Sequence, residues 1–232
     1  MVSDMINKNL IDPTINDQLP RAWGAELLSY EVGPCSYSNG YIKPQGKAFP
    51  VKLKAKIGLR PITLVFDFMA DSPAESAVAI SQMTNELMSG PEIMLPDGFL
   101  YWCEYDSASA PSRKAPWIEQ VKFKLHGVRH SPLVTKTFTE SGRLKADGNM
   151  ESPMIVELTP SGSDGMTFNG IAIDSDVPVT IDGVYTTVKN SLGDNVFGST
   201  DMTKWPTLDP GDNVITMSGI SSAKISYYPI WK

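Results

Sequence analysis

The sequence predicts a mainly β protein of two domains. Three observations carry this. Apolar and polar residues alternate with a period of two at several places, a single segment has helical spacing, and the second half breaks into short β-forming runs between turn residues. The 232 residues suit two domains of about 100 residues each, which is the common solution at this length. Charge divides the chain as well. Residues 1–138 hold 14 basic and 14 acidic side chains, whereas 139–232 hold 6 and 12. A boundary near 139 follows, with residues 139–150, which have no period and two glycines, as a linker between domains 1–138 and 151–232.

Residues 1–25 carry few local signals. A strand is expected over Leu27–Val32, followed by turn chemistry at Gly33-Pro34 and Ser38-Asn39-Gly40. From Val51 the alternation is sharp: Val51, Leu53, Ala55 and Ile57 on one face, Lys52, Lys54 and Lys56 on the other. That pattern describes a half-exposed strand. The apolar, β-branched run Ile62–Phe68 predicts a more buried one. The one helix is expected over 73–89. Ser72 is a good N-cap, Glu75 stands three residues on as in a capping box, and Pro73 occupies the first helical position. Ala77, Ile80, Met83 and Leu87 form an apolar stripe, and Gly90-Pro91 stops the helix. Phe99–Tyr105 and Trp117–Val128 are expected as strands, with Ile118, Val121, Phe123 and Leu125 partly in register and Ser107–Pro116 as an exposed loop.

Six short strands are expected in the second half: Pro153–Thr159, Met166–Ile173, Pro178–Ile181, Val184–Lys189, Asn213–Ser218 and Ala223–Tyr228. Their spacing predicts a sandwich. Asp182-Gly183 between β-formers predicts a hairpin with a type I′ turn, which needs positive φ at both central positions.

No signal for catalysis emerges. The two histidines, His126 and His130, are spaced by four on an expected strand, which suits surface or interface positions better than zinc binding. There is no G-x-S-x-G elbow and no phosphate-cradling glycine motif. Asp174-Ser175-Asp176 and the stretch Leu208–Asn213 are acidic, but neither has EF-hand spacing, and turns use the same residue types. Neither a metal nor a cofactor is expected. Cys35 and Cys103 are too few for a disulfide framework and are read as reduced thiols, although two in one half leave a pairing open. The net charge of −6 argues against a nucleic-acid or anionic-membrane binder. No apolar run reaches the length of a membrane span, and no signal peptide is recognised at the start, so a protein made in a cytoplasm is expected.

The second half carries a resemblance. A hairpin Val179-Thr-Ile-Asp182-Gly183-Val-Tyr185 is followed by Asn195-Val-Phe197. Next comes Lys204-Trp205-Pro206-Thr-Leu208-Asp-Pro210-Gly211-Asp-Asn213-Val-Ile215, and then Lys224-Ile-Ser-Tyr-Tyr-Pro-Ile-Trp231. This resembles the C-terminal domain of the distal tail protein family of long-tailed bacteriophages, where an I-D-G hairpin precedes P-x-L-x-P-G-x-N-x-I and a final aromatic strand. Gly58–Val65, the helix and Leu95–Tyr101 occur in the order of that family's N-terminal domain. Tail-tube proteins share a similar sandwich. The resemblance implies two β-sandwich domains, the first tail-tube-like with one helix and the second galectin-like. It implies a non-enzymatic, homo-hexameric ring at the virion tail tip, assembled in the bacterial cytoplasm. Its partners would be the tail tube protein, a hub protein and receptor-binding or other baseplate proteins. The alternative is a carbohydrate-binding sandwich. Trp205, Tyr227, Tyr228 and Trp231 are candidate sugar platforms, but both histidines lie in the first half and Arg143 is the only arginine beyond residue 138. The polar set of a galectin is therefore missing, and Trp205 is expected to pack under the Asp209–Asn213 loop while Trp231 anchors the terminus.

Overall fold

A computed structural model describes residues 12–38, 41–42, 51–52 and 56–232. The chain divides into two compact units, one up to Arg129 and one from His130 to Trp231. The boundary therefore precedes the expected one. Residues 139–150 are not a linker but contain a strand of the second unit.

The first unit is built on an antiparallel sheet. Its strands are β1 (Thr14–Ile15), β2 (Ala25–Val32), β3 (Arg60–Met69), β4 (Glu92–Met94), β5 (Leu100–Ala108), β6 (Ser112–Ala115) and β7 (Ile118–His130), with α1 (Pro73–Met88) between β3 and β4. The sheet order is β1-β4-β5-β7-β3-β2, and β6 pairs with β7. Alternation along the central pair places Ile62, Leu64, Phe66 and Phe68 of β3 in one core with Val121, Phe123 and Leu125 of β7. Phe66 and Phe68 both meet Phe123 edge-on, at 6.1 and 6.5 Å between ring centroids, the geometry that aromatic quadrupoles favour. Met83 and Leu87 of α1 join the same core. β6 lies inside the segment 107–116 expected to be a loop, because Ser112 and Arg113 pair with Gln120 and Glu119. Of the expected strand Val51–Ile57 with Lys52, Lys54 and Lys56, residues 53–55 lie outside the described residues, as do Asn39 and Gly40 of the expected turn at Ser38–Gly40. Their described backbone forms two short antiparallel pairings, Tyr37–Ser38 with Lys56–Ile57 and Tyr41–Ile42 with Val51–Lys52.

α1 forms where its caps require. The Ser72 hydroxyl accepts the Glu75 N–H at 3.2 Å. The Glu75 carboxylate accepts the N–H of Asp71 at 3.2 Å, one residue earlier than in a standard capping box. The buried face is rotated from the expected stripe: Ser76, Met83 and Leu87 are buried, Ile80 is half-buried and Ala77 is exposed. Ser76 can occupy the core face because its hydroxyl donates to the Glu119 carboxylate at 2.7 Å, so its burial costs no hydrogen bond.

The second unit is a β-sandwich. Its strands are β8 (Val134–Phe138), β9 (Gly142–Ala146), β10 (Ser152–Pro160), β11 (Met166–Phe168), β12 (Ile171–Ile173), β13 (Val179–Asp182), β14 (Thr187–Asn190), β15 (Thr207–Leu208), β16 (Gly211–Ile215), β17 (Met217–Ser218) and β18 (Ile220–Tyr227). One sheet runs β8-β18-β10-β13-β14, with β15 on β10, and smaller sheets pair β9 with β16 and order β12-β11-β17. Met154, Val156 and Leu158, Ile181, and Ile225 share one core with Leu144 of β9 and Phe168 of β11. β9 sits in the expected linker and buries Leu144 and Ala146, with Arg143 and Lys145 outside. The expected strand Met166–Ile173 is a hairpin. Asn169 (φ 47°) and Gly170 (φ 82°) form its two-residue turn.

Leu87→Ala should lower stability by about 2–5 kcal/mol, and Ser72→Ala by about 1 kcal/mol. Ala77→Gln should change it by less than about 0.5 kcal/mol, because the side chain faces water. Urea melts of the three variants check the rotated helix face. A large loss for Ala77→Gln would restore the expected stripe.

Candidate functional site

The residues that carry the family motif lie together in the second unit, and their chemistry is that of backbone closure. Asp182 ends β13 and its Oδ1 accepts the N–H groups of Val184 and Tyr185, each at 2.9 Å. This is an Asx turn in a four-residue loop rather than the expected two-residue type I′ turn. Gly183 does not adopt positive φ, and the left-handed residue of the loop is Thr186 (φ 54°). Glycine is required at 183 for a different reason. Its N–H donates to Met154 O at 2.8 Å, and a Cβ there would stand 2.7 Å from Met154 O and 3.1 Å from Pro206 O. The I-D-G hairpin and the W-P segment are therefore packed backbone to backbone across the start of β10.

The loop before β16 is held by Asn213. Its Oδ1 accepts the Asp209 N–H at 2.9 Å, and its Nδ2 donates to Asp209 O at 2.8 Å and Gly211 O at 2.9 Å. Both amide hydrogens and one acceptor position of the oxygen are used inside the motif Pro206-x-Leu208-x-Pro210-Gly211-x-Asn213. Pro206 and Leu208 are buried, and Pro206 O accepts the Met154 N–H at 3.1 Å. Trp205 is half-buried against the core. Its ring lies 5.8 Å from that of Phe197 at 37°. With Met154, Asn169, Asp201 and Lys204 it lines a surface hollow of about 450 Å³. Two polar groups of this hollow are already engaged: Asp201 Oδ1 accepts the Ala172 N–H at 2.7 Å, and Lys204 pairs with Glu151 at 3.2 Å. Tyr227 is buried and its hydroxyl accepts the Asp147 N–H at 3.2 Å, so it is no exposed platform. Trp231, in the terminal strand Ile230–Trp231, donates from Nε1 to Ser131 Oγ at 2.9 Å and so anchors the chain's last residues.

The other candidates resolve differently from one another. His126 is exposed on β7, but His130 is fully buried, edge-on to Tyr228 at 5.3 Å and 3.1 Å from Ser131 O through Nδ1. The reading of both as surface or interface groups is corrected for His130. Cys35 and Cys103 form no disulfide. Burial, with a smaller effect of Glu104, pushes the Cys103 thiol up to about 12, so it stays protonated and a poor nucleophile. Ser175 Oγ accepts the Val177 N–H and donates to Val177 O, which makes Asp174–Asp176 a turn. Among the described residues no group of three or more His, Cys, Asp or Glu could hold a metal ion, and no helix is long and apolar enough to cross a membrane. In the first unit, the Tyr101 hydroxyl donates to Asp97 at 2.7 Å, and burial first and this bond second raise its pKa above the usual tyrosine range. The Arg129 guanidinium sits 4.4 Å over the Phe99 ring.

No protein-family model and no curated protein sequence matches the chain. Solved structures do. The SPP1 Dit protein, described as a paradigm of the hub adsorption apparatus in phages infecting Gram-positive bacteria, superposes with a TM-score of 0.73 over 95% of this chain and 99% of its own, at 12% identity. This chain has the fold of a phage distal tail protein. The phage P2 baseplate in its calcium-activated conformation contains a chain that matches at a TM-score of 0.59, 9% identity, and 91% and 92% coverage. Its strontium-activated form gives 0.57 and 10% over the same shares. The match to SPP1 Dit runs through both units, so the fold of that chain is shared along nearly the whole of this one. The residues that made the resemblance legible, from Asp182 to Asn213, serve that architecture by packing.

Gly183→Ala should cost about 1–3 kcal/mol by forcing a methyl group against two carbonyl oxygens. Asn213→Ala should cost a similar amount through the loop groups it leaves unpaired. Thermal melts of the two variants are the check, and wild-type stability in both would remove the structural role assigned to the motif.

Proposed function

We propose that this chain is a structural subunit of a phage tail tip, one copy in a homo-hexameric ring joining the tail tube to the baseplate hub and to receptor-binding or other baseplate proteins. The carrying observation is end-to-end similarity to SPP1 Dit, with nearly all of both chains matched at a TM-score of 0.73. At 12% identity that similarity speaks to fold, and fold alone does not assign function. Support comes from the site: Asp182, Gly183 and Asn213 are spent on loop closure, and Pro206 and Leu208 on burial. In this reading the first unit forms the ring and meets the tail tube, and the second faces outward and holds attached proteins. The particle would be assembled in the bacterial cytoplasm and reside at the virion tail tip.

One observation favours the carbohydrate-binding alternative, the hollow beside Trp205 and Phe197. Sugar sites combine an aromatic face with free, fixed polar groups. Here Asp201 and Lys204 are already bonded within the protein, and Trp205 lends its ring to Phe197. Protein attachment is the better-supported role of the second unit.

Sedimentation velocity on the full chain tests the ring. A species near six times the 25.4 kDa subunit mass, growing in with concentration, is expected. A monomer at all attainable concentrations would count against self-assembly. A glycan array run on the same material should show no β-galactoside binding, and a reproducible hit abolished by Trp205→Ala would favour the alternative.

A further inference from the structure

The second unit exposes several large apolar side chains on loops that meet around Trp205. Tyr185 is 76%, Leu192 78% and Phe197 45% exposed. Residues 190–201, which carry Leu192 and Phe197, bridge two sheets. The Val196 N–H donates to Val188 O of β14 at 3.0 Å, and Ser199 O accepts the Asp174 N–H just after β12 at 2.8 Å. Between these anchors Phe197 lies against the Trp205 ring. Gly183, in the loop that carries Tyr185, comes against the carbonyl of Pro206, the residue after Trp205. Exposed apolar groups on converging loops mark a contact surface rather than scattered surface hydrophobics.

The same region is acidic. Residues 170–203 hold Asp174, Asp176, Asp182, Asp194 and Asp201 and a single cation, Lys189. None of these five aspartates forms an ion pair among the described residues. Asp201 lines the hollow of about 450 Å³ beside Trp205. Its Oδ1 is held by the Ala172 N–H at 2.7 Å, and its other oxygen accepts no hydrogen bond among the described residues. A carboxylate offers about four acceptor positions, so this one is fixed in place and still has acceptor capacity, in the same hollow as an indole ring. A guanidinium matches that pair: its forked donors suit the carboxylate and its planar cation suits the ring face. A sugar matches it less well, because it needs several free polar groups and Lys204 is taken by Glu151.

We infer that the hollow beside Trp205 and Phe197 receives an arginine-bearing apolar segment of another protein, with the guanidinium on Asp201 and Trp205 and the apolar neighbours on Phe197 and Leu192. The acidic surroundings select positive charge in the partner. Arginine together with aromatic side chains is the composition that protein interfaces favour. The inference rests on the reading of the second unit as the part that holds attached proteins, and it names the surface and the partner chemistry.

The test selects random peptides displayed on ribosomes against the immobilised full chain, and titrates the recovered peptides by calorimetry. They should carry arginine beside aromatic or aliphatic residues. Exchanging that arginine for lysine should weaken binding, since an ammonium has neither the fork nor the planar face. Asp201→Asn keeps an acceptor for the Ala172 N–H but removes the charge, and should weaken binding about fivefold, the upper end for an exposed charge pair. Phe197→Ser should weaken it at least about tenfold, as loss of a central contact does. Thermal melts confirm that each variant is folded, and Asp201→Asn alone decides if Phe197→Ser lowers the melting temperature. Recovery of no peptide, recovery of peptides without arginine, or binding indifferent to Asp201→Asn would overturn the inference. Sedimentation of the unmodified chain separates the two claims. If it forms six-subunit particles and no arginine peptide binds at Asp201, the docking assignment alone is wrong. If such peptides bind and the chain never associates, the ring reading fails while the docking surface stands.

Discussion

The first unit depends on the register of β3 against β7. Ten consecutive pairs, from Met69 opposite Ile118 to Arg60 opposite Gly127, hold the two strands in antiparallel alignment. The alignment puts Leu64 opposite Phe123 and Phe66 opposite Val121 on the face that α1 covers. A slip of one residue would send this whole set to the other side of the sheet. The placement of α1 follows, because Met83 and Leu87 need that apolar face and Ser76 needs Glu119 of β7.

Long elements with one dominant signal were legible in the sequence. The helix could be read because its cap, first-turn proline and stop are local chemistry. Its buried face could not be read to the residue, since Ser76 looks polar in sequence and is buried only because a distant carboxylate meets it. The same distinction explains the hairpins. Asp182-Gly183 and Asn169-Gly170 both carry turn chemistry, yet only the second forms a two-residue turn with positive φ at both positions. At 182–183 the glycine answers to Met154 and Pro206, far away in sequence. β9 escaped notice because two buried residues, Leu144 and Ala146, are too few to establish a period. The charge asymmetry near 139 is real, but charge lies on the surface and need not change where the core divides.

The motif of the second unit was legible as a pattern while its physical meaning was not. Asn213 bonding back to its loop could be anticipated from its place after Pro210-Gly211. The packing of Trp205 on Phe197 could not, since nothing local pairs residues eight apart in a loop. The fold itself is shared with SPP1 Dit at 12% identity. Contacts of this kind direct attention away from the motif and toward surfaces when function is sought. A structural subunit acts through what it leaves exposed.

The central claim is that the first unit builds a sixfold ring and the second stands outside it. Electron cryomicroscopy of the purified full chain at assembling concentration tests this most directly. The account predicts particles of sixfold symmetry, with the β2–β7 sheets around the axis and the β8–β18 sandwiches at the periphery. Particles of another symmetry, or sandwiches lining the axis, would contradict it.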